Sequence, residues 1–354
     1  MFIPPFRIVP IIERTRIFFM NPREQTRGPN KSFVAFLLIC GGLAALLAIA
    51  DRAPLHLDNR HPEFRLEANF YHYYEGILDG SLPGPYAYRI LTPFLIRALH
   101  GVIPSVTPLT IDAGLKFALL WGIQMAFLAL LGASFQPSSA FAGVLWLDVL
   151  AGVSLTYVQG PSVAETMDLL NLLLMAIGLI AITRGKTVGP ALILSVGLLN
   201  RETPLFLLPV VLFLDIRQKK GWVRFASLAA IAIATSVALR AFVQPTSGAW
   251  FTFEGLPYNL PLGLSESEPQ AAIALVHVAL LLGPLLALAL LRLREKPLLA
   301  QACVLTALLF IIVHFAVGRI IESRLWFPAY LFLLPAALLT LERLWHPGAA
   351  GDID

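Results

Sequence analysis

The sequence predicts an all-α, polytopic integral membrane protein with about 8 full transmembrane helices, a short broken hairpin and one helix lying in the outer interface. Three observations predict it. First, 57 % of the 354 residues are hydrophobic and 14 % are charged, against roughly a quarter charged in soluble domains; the mean hydropathy is +0.75. Second, apolar runs of near-spanning length recur at 33–50, 113–133, 138–158, 166–183, 222–243, 271–293, 298–317 and 325–341. Third, Lys and Arg gather in alternate connections: before residue 33, at Arg184/Lys186, at Arg217–Arg224 and at Arg292–Lys296. The positive-inside rule makes these cytoplasmic and puts 51–89, 159–168, 244–270 and 318–324 outside, with both termini in the cytoplasm.

Taken in order, residues 1–32 form a basic cytoplasmic segment carrying Arg7, Arg14, Arg16, Arg23, Arg27 and Lys31, without the pattern of a cleavable signal. Residues 33–345 form one transmembrane domain that includes an outer loop over 51–112, and 346–354 form a cytoplasmic tail. The first outer loop is the longest stretch unable to lie in hydrocarbon. From Asp51 to Arg97 it holds six acids, three histidines and five tyrosines. A tether between two helices needs only a few residues, so this length and chemistry suggest a working surface. Residues 90–103 are apolar but too short to cross, and Arg97 and His100 interrupt them, which fits an amphipathic interfacial helix.

Between Lys186 and Arg217 two apolar arms, 188–199 and 205–214, flank Asn200-Arg201-Glu202-Thr203-Pro204. At 1.5 Å per residue each arm reaches only ~15–18 Å, about half the hydrocarbon core. With both flanks cytoplasmic, the segment is a hairpin, its tip either near the midplane or lifted toward the outer side. Pro204 lacks an amide donor and disfavours helix at Thr203, which places the turn there. Two charges at that depth require burial in protein or a wet cavity. Arg201 and Glu202 form either a self-neutralising pair or a functional site.

Other polar residues have two readings each. Arg89, following Tyr88, can fork onto a phosphate or snorkel to headgroups. Glu322 and Arg324 precede the last span and can face the same cavity as the first loop. Glu165 and Asp168 share a helix face and read as a metal-binding pair or as solvated helix-start acids. Asp148 sits inside a span, as a proton relay or a structural aspartate meeting Lys116 or Gln124. Cys40 and Cys303 lie apart in apolar runs and read as packing residues, with no metal-ligand or disulfide spacing. The small net charge of +4 implies no nucleic-acid partner. No Walker loop, dinucleotide fingerprint, HExxH or GxSxG motif occurs, which argues against nucleotide hydrolysis, zinc proteolysis and serine hydrolysis by the usual devices.

A short basic start, one span and a long acidic outer loop ending in an interfacial helix resemble the GT-C superfamily of polytopic glycosyltransferases. The runs from Tyr73 to Gly80 and from Tyr86 to Pro93, Asn200-Arg201-Glu202-Thr203, and Glu322-Ser323-Arg324 are similar to stretches of its bacterial members. The resemblance implies a GT-C-like fold in the cell membrane and a polyprenyl-phosphate sugar as donor. It further implies transfer to a glycan, lipid or protein acceptor on the extracytoplasmic face, with an acid of the first outer loop as base. The adjacent acidic pair of the family is missing, so Asp58 is the first choice, with Asp51 and Glu63 in reserve. By the same resemblance Arg89, Arg201 and Arg324 hold the carrier phosphate, Glu202 and Glu322 orient them, and Tyr88 and Asn200 complete the binding set. The cofactor is undetermined; a divalent cation on the loop acids is one option. The competing class is a transporter or lipid-linked-sugar flippase with Arg201, Glu202 and Asp148 along a midplane path, and a third is a non-catalytic assembly factor.

Overall fold

The structure, a computed structural model, describes residues 31–50, 66–82, 86–156, 163–185, 187–215, 219–243, 269–318 and 323–345. The described residues form twelve α-helices and no strand: α1 Lys31–Ala50, α2 Leu66–Leu78, α3 Leu91–Val102, α4 Pro108–Leu131, α5 Pro137–Thr156, α6 Val163–Thr183, α7 Val188–Leu198, α8 Leu207–Asp215, α9 Lys219–Phe242, α10 Pro269–Leu290, α11 Leu298–Val317 and α12 Phe327–Trp345. Six of them, α4, α5, α6, α9, α11 and α12, are long and apolar enough to cross a membrane. The runs at 33–50 and 271–293 also form helices, α1 of 20 residues and α10 of 22. The architecture is that of a polytopic helical membrane protein.

Two helices form its centre. The α6 span and the span containing α12 bury 72 % and 78 % of their apolar length, against 17 % for α9. Along α12 every residue from Trp326 to Leu334 is buried or nearly so. A helix apolar on all sides belongs inside a bundle. α4 packs on α6 and on α1 and α5, α12 packs on α5, α10 and α11, and α9 packs on α7 and α8. Cys40 and Cys303 are free and buried in this core, as packing residues would be.

The broken hairpin is present as α7, a 3₁₀ turn Thr203–Phe206, and α8. α7 runs back along α6. A Cβ on Gly189 would touch Ala181, one on Gly178 would touch Ile193, and Asn200 at the tip bonds the Met167 carbonyl. The tip therefore lies level with the second turn of α6, about 7 Å along the helix from its first residue. Gly197 makes the turn possible: its carbonyl accepts from the amides of Asn200 (2.9 Å) and Arg201 (2.8 Å), and a Cβ there would come within 2.6 Å of Pro204 Cγ.

The first loop is more ordered than its polarity suggests. Helix α2 runs through its second half, with Phe70, Tyr74 and Ile77 buried at helical spacing against Leu82, Ile96, Ile111 and Met167. It ends at Gly80, whose φ of 74° is left-handed, and Ser81 N–H donates to the Asp79 carboxylate at 2.8 Å. The Ser81 hydroxyl, then its amide, hold that exposed carboxyl below the usual range. α3 buries Thr92, Pro93 and Ile96 while Phe94, Leu95, Arg97 and Leu99 face outward, as an interfacial helix should.

The turn at Gly197 leads to a stability prediction. Gly197→Val should lower the melting temperature in detergent by overpacking Pro204, at a cost of about 1–3 kcal/mol. Gly41→Ala, where nothing stands within 4 Å of the new Cβ, should leave it unchanged or slightly raised.

Candidate functional site

Where α4, α6, the hairpin tip and the start of α12 meet, six ionisable side chains are buried together. The geometry begins with helix starts. Thr107 caps α4, its hydroxyl accepting from Thr110 N–H, and Pro108 occupies the first helical turn. This sets Asp112 and Lys116, four apart, on one face. The first two turns of α6 present Glu165, Thr166 and Asp168, where the positive end of the helix dipole favours carboxylates. Lys116 Nζ donates to Glu165 at 2.8 Å and lies 3.6 Å from Asp112, all three side chains at most 2 % exposed. The Thr166 hydroxyl donates to Asp112. Arg201 from the tip donates to Asp168, whose other oxygen is 3.3 Å from Arg324 Nε. Arg324 also reaches Glu165 at 3.8 Å. Three cations face three carboxylates, and the cluster is neutral.

Several expectations are corrected by this arrangement. The partner of Arg201 is Asp168, contributed by α6, and not the adjacent Glu202. Glu202 is half-buried and opens the 3₁₀ turn, its carbonyl accepting from Leu205 N–H. Glu165 and Asp168 are neither solvated nor a metal pair, because lysine and two arginines neutralise them. Among the described residues no group of three or more His, Cys, Asp or Glu is placed to hold a metal ion. Asp148 meets Gln124, one of its two expected partners, accepting from its amide at 3.0 Å. Gln124 lies eight residues along α4 from Lys116, about 12 Å deeper. Asp51, Asp58, Glu63 and Glu322, and the loop over 244–268, lie outside the described residues.

Asn200 docks the tip. Fully buried, it accepts from the Thr92 hydroxyl at 2.6 Å and donates to the Met167 carbonyl at 2.7 Å. Leu91 N–H adds a backbone bond to the Leu199 carbonyl at 3.0 Å. These bonds bring the end of the first loop, and Arg89 with it, beside the tip.

Arg89 differs from the other two arginines of the expected set. It is 9 % exposed, its guanidinium sits 4.8 Å over the Tyr86 ring, and its Nε is buried without a hydrogen-bond partner. Among the described residues no carboxylate pairs with it. The sequence reading grouped three arginines on one phosphate; the structure instead joins Arg201 and Arg324 through Asp168 and leaves Arg89 without a carboxylate among the described residues. Tyr88 is buried, with the Arg240 guanidinium 5.5 Å over its ring.

Beside the cluster a small, partly open pocket is lined by Asp168, Asn171, Arg201, Thr203, Phe310, His314 and Arg324, with the start of α12 along one side. The His314 ring stacks on Phe310 at 5.4 Å and meets the edge of Trp326 at 4.8 Å. Sequence reading missed Asp112 and Asn171. Asp112 lies four residues before Lys116, and that helical pairing of opposite charges in an apolar run was its available signal. No family model matches the chain, and neither a curated protein nor a solved structure matches it.

The cluster should behave as one unit. Lys116→Met leaves Asp112 and Glu165 buried with reduced compensation and should cost about 3–5 kcal/mol. Adding Glu165→Gln should recover part of that loss. A double-mutant cycle read from melting in detergent measures the coupling.

Proposed function

We propose that the protein is a membrane glycosyltransferase of GT-C type that moves a sugar from a polyprenyl-phosphate carrier to a glycan, lipid or protein acceptor on the extracytoplasmic face. The observation that carries this reading is Arg89: a buried guanidinium without a carboxylate among the described residues, held by Tyr86 next to the hairpin tip. An uncompensated buried cation is costly and is retained where an anion arrives. A lipid-linked phosphate reaching the end of a membrane bundle is such an anion, and guanidinium binds phosphate through a planar fork.

In this reading Arg89 holds the carrier phosphate and stabilises the charge that grows on it as the bond to the sugar breaks. The neutral six-residue cluster that includes Arg201, Asp168 and Arg324 positions the tip. A first-loop acid, Asp58 first and Asp51 or Glu63 next, takes the proton from the acceptor hydroxyl, whose oxygen forms the new bond to the anomeric carbon. The carrier leaves as polyprenyl phosphate, so charge and atoms balance. The transporter reading lacks a continuous polar route among the described residues. Asp148 and Gln124 form an isolated pair, and Leu120, one turn from each of Gln124 and Lys116 on α4, is buried and apolar.

Purified protein in vesicles with labelled polyprenyl-phosphate sugars and membrane extract should release label from the carrier. Arg89→Gln should reduce turnover about 10²–10³-fold without lowering the melting temperature, because no carboxylate among the described residues loses its partner. Asp58→Asn should abolish turnover. If no donor in the panel is consumed by folded protein, or if Arg89→Gln retains full activity, the reading is wrong.

A further inference from the structure

At the end of the bundle remote from the hairpin tip, one arginine stands where the backbone calls for glycine. α10 stops at Leu290, and Arg292 follows it with φ 53° and ψ 38°, in the left-handed region. Among the described residues it is the one non-glycine residue with positive φ; the turns after α2 and α6 use Gly80 and Gly185. Glycine is usual at such helix ends because a Cβ there crowds the following carbonyl oxygen. An arginine in that position is destabilising unless its side chain makes a compensating contact.

Within the fold the compensation is slight. A cation at this place could cap the last carbonyls of α10. Lys296 already does so, its Nζ donating to the Leu288 and Ala289 carbonyls at 2.9 and 2.6 Å, and the Thr340 hydroxyl donates to Leu288 at 2.7 Å. The Arg292 side chain is 66 % exposed, and its ion pair is with Glu295 at 4.0 Å, a surface contact of little worth. Arg343 of α12 holds Glu295 more closely, donating to its carboxylate at 3.1 Å and to its carbonyl at 3.0 Å. Both arginines approach the same oxygen, Glu295 Oε2. Two guanidiniums are thereby kept near one another, each with N–H donors beyond those that Glu295 takes. Arg294 is exposed beside them, so three arginines outnumber Glu295 and Glu342 at this end.

The surroundings identify the guest. Leu291, Leu298, Leu344 and Trp345 adjoin the arginines and are exposed. Forked cations beside an exposed apolar rim suit a ligand with an anionic head and an apolar body, and tryptophan favours the height of lipid headgroups. A soluble phosphate would leave that rim in water. Arg343 lies sixteen residues along α12 from Phe327, about 24 Å from the pocket end of that helix.

We propose that Arg292 and Arg343 clamp the phosphodiester headgroup of an anionic phospholipid in the leaflet at this end, with its acyl chains along Leu291, Leu298 and Leu344. The clamp is independent of the transferase reading. It ties the turn between α10 and α11 to the last turn of α12.

Full-length protein in dodecyl maltoside, titrated with dioleoylphosphatidylglycerol or dioleoylphosphatidylcholine and read by native mass spectrometry and by melting, tests it. Phosphatidylglycerol should bind about tenfold or more tighter than phosphatidylcholine, equivalent to about 1.4 kcal/mol. Glycerol 3-phosphate at the same concentrations should not raise the melting temperature. Arg292→Gln should remove most of the preference, whereas Arg184→Gln, at an exposed arginine just beyond α6, should leave it intact. Without added lipid Arg292→Gly should melt at or above the wild type, since glycine accepts the left-handed backbone, yet it should lose the preference as Arg292→Gln does. The proposal is overturned if the wild type binds both lipids equally, or if the Arg292 variants keep the preference. It is overturned equally if Arg184→Gln removes as much, which would make the attraction diffuse charge. Arg292→Gly melting below the wild type would make the side chain structural, and glycerol 3-phosphate stabilising as well as the lipid would make the guest a free phosphate; either result also overturns it.

Discussion

Six charges buried at one end of an apolar bundle impose neutrality, and that constraint determines how four separate elements meet. Each charge alone would cost several kcal/mol to bury. Together, Asp112 and Lys116 of α4, Glu165 and Asp168 of α6, Arg201 of the hairpin and Arg324 before α12 compensate one another. Apolar packing is tolerant of small rotations, whereas an ion cluster is not. Sliding α12 by one residue would rotate Arg324 by about 100° and leave Asp168 with Arg201 alone. The cluster therefore sets the register of α12 against α6, and through Arg201 the depth of the hairpin.

The hairpin carries this constraint to the first loop. Its arms are too short to cross, so its polar tip has no access to bulk water through a complete span and must be satisfied by protein. Asn200 does this on two sides, through Thr92 and the Met167 carbonyl, and Leu91 adds a main-chain bond to Leu199. Order thus passes from α6 to the tip and on to the segment that holds Arg89. Gln124, Glu165, Asp168 and Arg324 also keep a buried atom without a hydrogen bond, but each is paired elsewhere; Arg89 and Asn171 show no such pairing among the described residues. Both are buried, and both keep polar atoms without partners among the described residues. Under the proposed carrier reading, the deficit at Arg89 is one that an arriving phosphate would meet.

How far this was legible follows from what each signal encodes. Hydropathy exposes length and burial, so the spans and the interfacial helix over 90–103 could be read directly. Asn200-Arg201-Glu202-Thr203-Pro204 stood out because charges and proline interrupt two apolar arms. Choice of partner is different. Arg201 and Glu202 are neighbours in sequence, yet successive residues of a helical turn diverge by about 100°, and the carboxylate that meets Arg201 comes from 33 positions earlier. Lys116 was noticed only as a potential partner for Asp148, because the apolar run around it hides which turn of α6 lies opposite. Helix α2 was masked by the polarity of its loop, although Phe70, Tyr74 and Ile77 carry the helical period. Asn171 gave no signal at all: a lone asparagine in an apolar helix looks the same whether its amide is paired or empty.

The distribution of polarity also bears on the class of function. An alternating carrier needs polar surface that can be reached from each side in turn, and therefore polar groups spaced along the bundle. Here the buried charges concentrate in the first turns of α6 and the elements beside them. The next polar pair along α4, Gln124 with Asp148, is separated from Lys116 by buried Leu120. At the opposite end Arg224 bonds Asp215 and the Ile182 carbonyl, and Lys296 bonds the Leu288 and Ala289 carbonyls, so these cations close helix ends. Chemistry confined to one end, with an apolar barrier behind it, suits an enzyme that receives a lipid-linked substrate at that face. The same barrier would obstruct a charged headgroup moving from one side to the other.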